Sequence, residues 1–210
     1  MDLKVRHRCM IYQGSPATHL RGIAETILER LRANHRCLYL NSPSMVAGIR
    51  SYLAATGLNV ALEVGKRSLV LSSDQSHLVQ GRFDVDRMLQ MLARAVNDSA
   101  EDGYSGLWAS GDMTWEFGSE ENLGKLMEYE CGLEQLFRQY PALNGICQYH
   151  QDTLPDDALH AALSKHGSVY INETLSRVNP FYLPPGSAMG TPLSTPRLKE
   201  MFRQLHLHAS

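Results

Sequence analysis

The chain has 210 residues, a formal net charge of -2 and 43% hydrophobic residues. That length supports one good α/β core but not two sizeable domains, and the near-neutral charge leaves no electrostatic footprint for direct nucleic-acid binding. No run reaches membrane-span length and the start, MDLKVRHRCMIY, lacks a signal-peptide pattern, so the expectation is a cytoplasmic protein without a membrane span.

In chain order, Arg8–Tyr12 is an apolar strand that ends in Gln13-Gly14-Ser15-Pro16. Ile23, Ala24, Ile27 and Leu31 then mark an amphipathic helix. A phosphate-binding loop would occupy this turn, but Gly14–Leu20 reads GSPATHL and has no lysine to reach a phosphate. Ordinary ATP or GTP hydrolysis is therefore not expected, and no cofactor is predicted.

Arg36–Leu40 is the second strand, and Ser42-Pro43 caps a helix through Val46, Ile49 and Leu53. Leu58–Glu63 and Ser68–Leu71 read as two extended runs separated by Gly65-Lys66. Phe83-Asp84 opens a helix with Val85, Met88, Leu89, Leu92 and Val96 on one face.

Leu107–Phe117, LWASGDMTWEF, is the stretch around which the chain is organised: buried strand, polar turn, then a helix from about Ser119 to Tyr140. Leu123, Leu126, Met127, Leu133 and Phe137 form that helix's apolar stripe, with Glu130 in its middle. A buried carboxylate must be protonated, paired with Arg or hydrogen-bonded to backbone amides, because an unpaired buried charge costs about several kcal/mol. Glu130 is either a structural clamp or a ligand-facing group.

Asn144–Tyr149 is the next strand, a short helix runs from Thr153-Leu154-Pro155 to His166-Gly167, and Val169–Asn172 is the last strand. The alternation predicts a mostly parallel sheet covered by helices. From residue 174 to 195 the chain becomes Pro- and Gly-rich, an expected linker, and residues 196–208 form a final amphipathic helix. Its stripe, Leu198, Met201, Phe202 and Leu205, is expected to dock on its own domain, on a protein partner or second copy, or on a membrane.

Residues at the predicted strand ends, Tyr12, Gln13, Asn41, Asp74, Asp112, Trp115, Tyr149 and His150, converge on one edge of such a sheet. Aromatic walls with a few amides and carboxylates suit a small apolar or weakly polar ligand. No standard metal pattern is present: His150, Asp152, His160 and His166 fit no zinc spacing, and His7 with Cys9 needs a third ligand from elsewhere. Catalysis would have to rest on Asp112, Glu116 and Glu130 as acid and base, since no nucleophile elbow or activated cysteine appears.

The chain resembles the MEDS domain, the sensory module of methanogen and methylotroph regulators of the DcmR type. The resemblance rests on HRCMIY at His7–Tyr12, GDMTW at Gly111–Trp115, Tyr129-Glu130, CQY at Cys147–Tyr149 and His166, and covers about residues 5–172. It implies a RecA/KaiC-like core that has lost the phosphate loop and senses small hydrocarbon derivatives in signal transduction and transcription regulation. It departs from the family pattern at His150, where an acid is usual, and at Asp112, where Glu is common. With no DNA-binding or kinase module in the sequence, the signal is expected to leave through a partner. The sequence therefore points to a sensory domain for residues 1–173 with ligand-binding residues Tyr12, Gln13, Asp112, Trp115, Glu116, Glu130, Tyr149 and His150. A degenerate nucleotide-binding enzyme or hydrolase and a pure interaction module are the alternatives.

Overall fold

The computed structural model describes residues 6–73, 78–80, 82–114, 123–170, 176–183 and 194–207. Among these residues seven strands form the main sheet, in the order β3-β2-β6-β7-β1-β8-β9. They are β1 His7–Tyr12, β2 His35–Asn41, β3 Leu69–Ser73, β6 Gly106–Asp112, β7 Leu143–His150, β8 Ser168–Tyr170 and β9 Ser176–Val178. The first six are parallel, and β9 closes one edge antiparallel to β8. A separate small hairpin pairs β4 (Leu78–Val79) with β5 (Arg82–Phe83).

Side-chain alternation along the strands divides the core in two. Met10, Tyr12, Cys37, Tyr39, Trp108 and Ile146 point to one face, where they meet α1 (Leu20–Arg32) and α2 (Pro43–Ala55). Cys9, Leu38, Leu40, Leu107, Cys147 and Tyr149 point to the other, toward α4 (Val85–Glu101), α5 (Leu123–Gln139) and α6 (Asp156–Lys165). Each fully buried Leu, Ile or Phe contributes about 1.5–3 kcal/mol. Caps fix the helix starts: Ser42 Oγ accepts from Met45 N, and Asp84 Oδ1 accepts from Arg87 N at 2.9 Å.

Two sequence expectations change and a third is narrowed. Leu58–Glu63 is not extended: Asn59 Oδ1 accepts from Leu62 N at 3.0 Å and starts a short helix, α3 (Val60–Gly65). Part of the expected linker is β9, and Asn179 beyond it is buried, its amide donating to the carbonyls of Leu163 and His166. Of the surfaces expected for the final helix, α7 (Thr195–Leu207), its own domain takes most of the stripe, with Phe202 half-buried. Leu198, Met201 and Leu205 are buried in the same core as α6, because that face of α6 would otherwise be left in water. Asp74 lies outside the described residues. Among those residues no helix is long and apolar enough to cross a membrane.

Candidate functional site

The strand ends carry a pocket of about 290 Å³ lined by Tyr12, Pro16, Asn41, Ser42, Met45, Asp112, Thr114 and His150. It sits on the α1/α2 face, at the carboxyl ends of β1, β2, β6 and β7. Asp112 is its organising group. Tyr12 donates its hydroxyl to Asp112 Oδ2 at 2.8 Å, and Thr114 N donates to Oδ1 at 2.8 Å. Burial and the Asp112 carboxylate push the Tyr12 phenol well above its ordinary range, so it stays a neutral donor.

One wall is aromatic. The Tyr12 and His150 rings stack with centroids 4.8 Å apart and planes 9° from parallel. His19 approaches Tyr12 from another side at 4.8 Å. Asn41 forms the opposite wall, donating to Tyr39 hydroxyl at 3.1 Å and accepting from Ser42 N at 2.8 Å. Burial first, then the charge on Asp112, raises the Tyr39 phenol above its usual value.

The turn after β1 is built differently from a phosphate cradle. Gly14, with φ of 73°, turns the chain where a side chain would be strained. Its N–H donates to Asp152 Oδ2 at 2.7 Å, and its carbonyl lies 2.8 Å from His150 Nε2. An amide that a phosphate loop would present to an anion is thus held by the chain's own carboxylate.

Not all the sequence candidates meet here. Tyr12, Asp112 and His150 do. Gln13 is exposed beside the pocket without lining it, and Trp115 and Glu116 lie outside the described residues. Tyr149 and Glu130 are placed elsewhere. Adjacent strand residues point to opposite faces, so Tyr149 turns away from His150, into the α5/α6 side. There its hydroxyl donates to Glu130 Oε1. Among the described residues neither an arginine nor a backbone amide holds Glu130; this phenol is its hydrogen-bond donor and two imidazoles are its neighbours. His7 Nε2 and His166 Nε2 lie 3.6 and 3.4 Å from Oε2. Asp112 and Glu130 are on opposite faces of the sheet and cannot share one substrate as acid and base.

That His7, Glu130, Cys147 and His166 form a second constellation was missed by sequence reasoning. All four are buried, and their ligand atoms lie within 4.8 Å of one another. His7 stacks on Phe137 with centroids 4.4 Å apart and sits 4.2 Å from the His166 ring. Burial, and then His166, pushes the His7 imidazole well below its ordinary value. Burial and Glu130 raise both the Cys9 thiol and the Tyr149 phenol. The available signals were the carboxylate on the apolar stripe of α5 and the motifs that carry the family resemblance, which contain all four residues without showing that they meet.

A search of solved structures gives the flagellar accessory protein FlaH from Methanocaldococcus jannaschii. It shares 11% identity, with a TM-score of 0.57 over 88% of this chain and 82% of that one. The likeness shows the fold, which is RecA-like. A comparison with curated proteins gives no match. The description MEDS, methanogen/methylotroph, DcmR sensory domain, matches residues 6–167, which takes in β1 through α6 and both constellations. The chain belongs to the MEDS family of sensory domains.

Proposed function

We propose that this sensory domain binds a small, partly apolar molecule in the Tyr12–Asp112–His150 pocket and passes the binding event to a protein partner, without hydrolysing nucleotide. The observation that carries the reading is the pocket itself: an aromatic wall, a methionine and one fixed buried carboxylate at the sheet edge where α/β folds place ligands. The rings supply contact area and Asp112 with Asn41 supplies orientation. A sensor further needs a ligand that favours one conformation over another, since only differential affinity shifts a population. The Gly14 turn, tied to the pocket through His150 and Asp152, is the segment a ligand would bias. The gap left by the missing lysine at Gly14–Leu20 and the occupied Gly14 amide support a reading without NTP hydrolysis.

Native mass spectrometry of the gently purified chain, with and without magnesium ATP, tests this. The expected result is a small organic mass lost on denaturation, absent from Asp112→Asn, and no nucleotide adduct. A tight ATP adduct with turnover would overturn the reading in favour of a degenerate ATPase. Trp115→Ala is expected to weaken binding of the same mass; unchanged affinity removes Trp115 from the site.

A further inference from the structure

We propose that His7, Glu130, Cys147 and His166 form a closed, four-ligand transition-metal site, best matched to zinc, on the face of the sheet opposite the ligand pocket. The four side chains come from four elements: the start of β1, the middle of α5, the centre of β7 and the residue after α6. Their approach is therefore a product of the tertiary fold rather than of local sequence.

The spacing fits an ion. With metal–nitrogen and metal–oxygen bonds of 2.0–2.2 Å and a metal–sulfur bond near 2.3 Å, a tetrahedron has ligand–ligand edges of about 3.3–3.7 Å. The observed edges include His166 Nε2 to Glu130 Oε2 at 3.4 Å, His7 Nε2 to the same oxygen at 3.6 Å, and Cys147 Sγ to His7 Nε2 at 3.6 Å. A charge-assisted N–H···O bond would instead close to about 2.7–2.9 Å.

Two of the polar atoms also point inward without a hydrogen-bond partner. Glu130 is 0% exposed and its Oε2 has none; His166 is 0% exposed and its Nε2 has none. His166 Nδ1 lies 2.8 Å from the carbonyl of Ala162, which can only accept, so Nδ1 carries a proton. In a neutral ring, Nε2 then directs a lone pair at a carboxylate lone pair. That arrangement is repulsive until a cation lies between them.

The surroundings hold the ligands as metal ligands are held. The Ala162 carbonyl fixes the His166 tautomer, and the Tyr149 hydroxyl takes Glu130 Oε1, leaving Oε2 for the ion. Phe137 fixes the plane of His7. Two imidazoles, a thiolate and a carboxylate form a borderline donor set that suits zinc(II), which has no geometric preference of its own to violate. Binding releases the Cys147 thiol proton to solvent, and no electron changes hands. With four buried protein ligands, the site keeps no open position for substrate; its role is to clamp α5 and α6 onto β1 and β7.

Elemental analysis of the purified full chain, followed by chelation and titration with zinc(II) and cobalt(II), tests the proposal. One transition-metal ion per chain is expected, with zinc restoring the melting temperature lost on chelation. Cobalt should give intense tetrahedral visible bands and a thiolate charge-transfer band that disappears in Cys147→Ser and persists in Cys9→Ala. Tyr149→Phe should weaken zinc binding by about 10–100-fold, as loss of an orienting partner does. A folded wild-type chain that arrives without metal and takes up neither ion overturns the proposal. A charge-transfer band that survives Cys147→Ser overturns the ligand set. Both of these rest on measurements that do not require Glu130 or His7 variants to fold.

Discussion

Tyr12 on β1 donates its hydroxyl to Asp112 on β6 at 2.8 Å, reaching across the end of the intervening strand β7. The bond fixes the floor of the pocket and neutralises the demand of one buried carboxylate oxygen. Tyr12→Phe should leave Asp112 Oδ2 without its donor and cost about 1–3 kcal/mol of stability. Denaturant unfolding of the two proteins measures the difference. Ligand affinity should fall in the same variant, because the carboxylate is no longer held in one rotamer.

His150 forms the other half of the aromatic wall and meets the Gly14 carbonyl. His150→Ala should free the turn as well as open the wall. Amide hydrogen exchange around Gly14 and Ser15 is expected to speed up, while the β1 and β7 amides stay protected. Equal exchange in both proteins would show that the turn is held by other contacts.

The stripe of α7 should behave as core. Leu198 is 2% exposed, so Leu198→Ala should cost about 2–5 kcal/mol by losing buried methyl groups and leaving a cavity. Sedimentation should show the same oligomeric state for both chains. A change in assembly without a change in stability would instead assign the stripe to an interface.

His160, on α6, gives a pH dependence of known sign. Burial, opposed by the charge of Asp157, holds its imidazole below the ordinary 6.5. A depressed folded value means that the neutral ring is favoured in the native state. Its contribution is fully present above pH 6.5 and is lost as pH falls below it. The melting temperature of His160→Gln should therefore decline less than that of wild type between pH 7 and 5. Parallel declines would refute the assignment.

Gly145 has little room for a side chain. A Cβ there would lie 2.8 Å from the Ala109 carbonyl oxygen and 3.1 Å from Phe137 Cζ. Phe137 is also the ring stacked on His7. Gly145→Ala should cost about 1–3 kcal/mol as an overpacked site, and should disturb the histidine cluster in proportion, read from the His7 imidazole resonances.

Much of the architecture was legible because it is periodic. Strand and helix alternate along the chain, and apolar spacing marked α1, α2, α4 and α5 correctly. The missing lysine in Gly14–Leu20 and the carboxylate on the α5 stripe were also visible as residue types in particular places. The rest depended on long-range partners. Leu58–Glu63 has too few residues for its helical period to show, and β9 exists through pairing with β8. Tyr149 and His150 are neighbours in sequence, but the pleat sends them to opposite faces, so one belongs to the pocket and the other to the buried cluster. His7 and Cys147 are 140 positions apart, and only the parallel pairing of β1 with β7 brings them together.

That pairing has a thermodynamic corollary. β7 turns Cys147 and Tyr149 to the histidine cluster and His150 to the pocket, so a single rigid ribbon contributes to two sites on opposite sides of the sheet. If a pocket ligand tilts β7, zinc affinity must change, and by reciprocity zinc must alter ligand affinity by the same factor. Titrating each species in the presence of the other should yield equal ratios; a ratio of one in both directions would mean that the ribbon holds still.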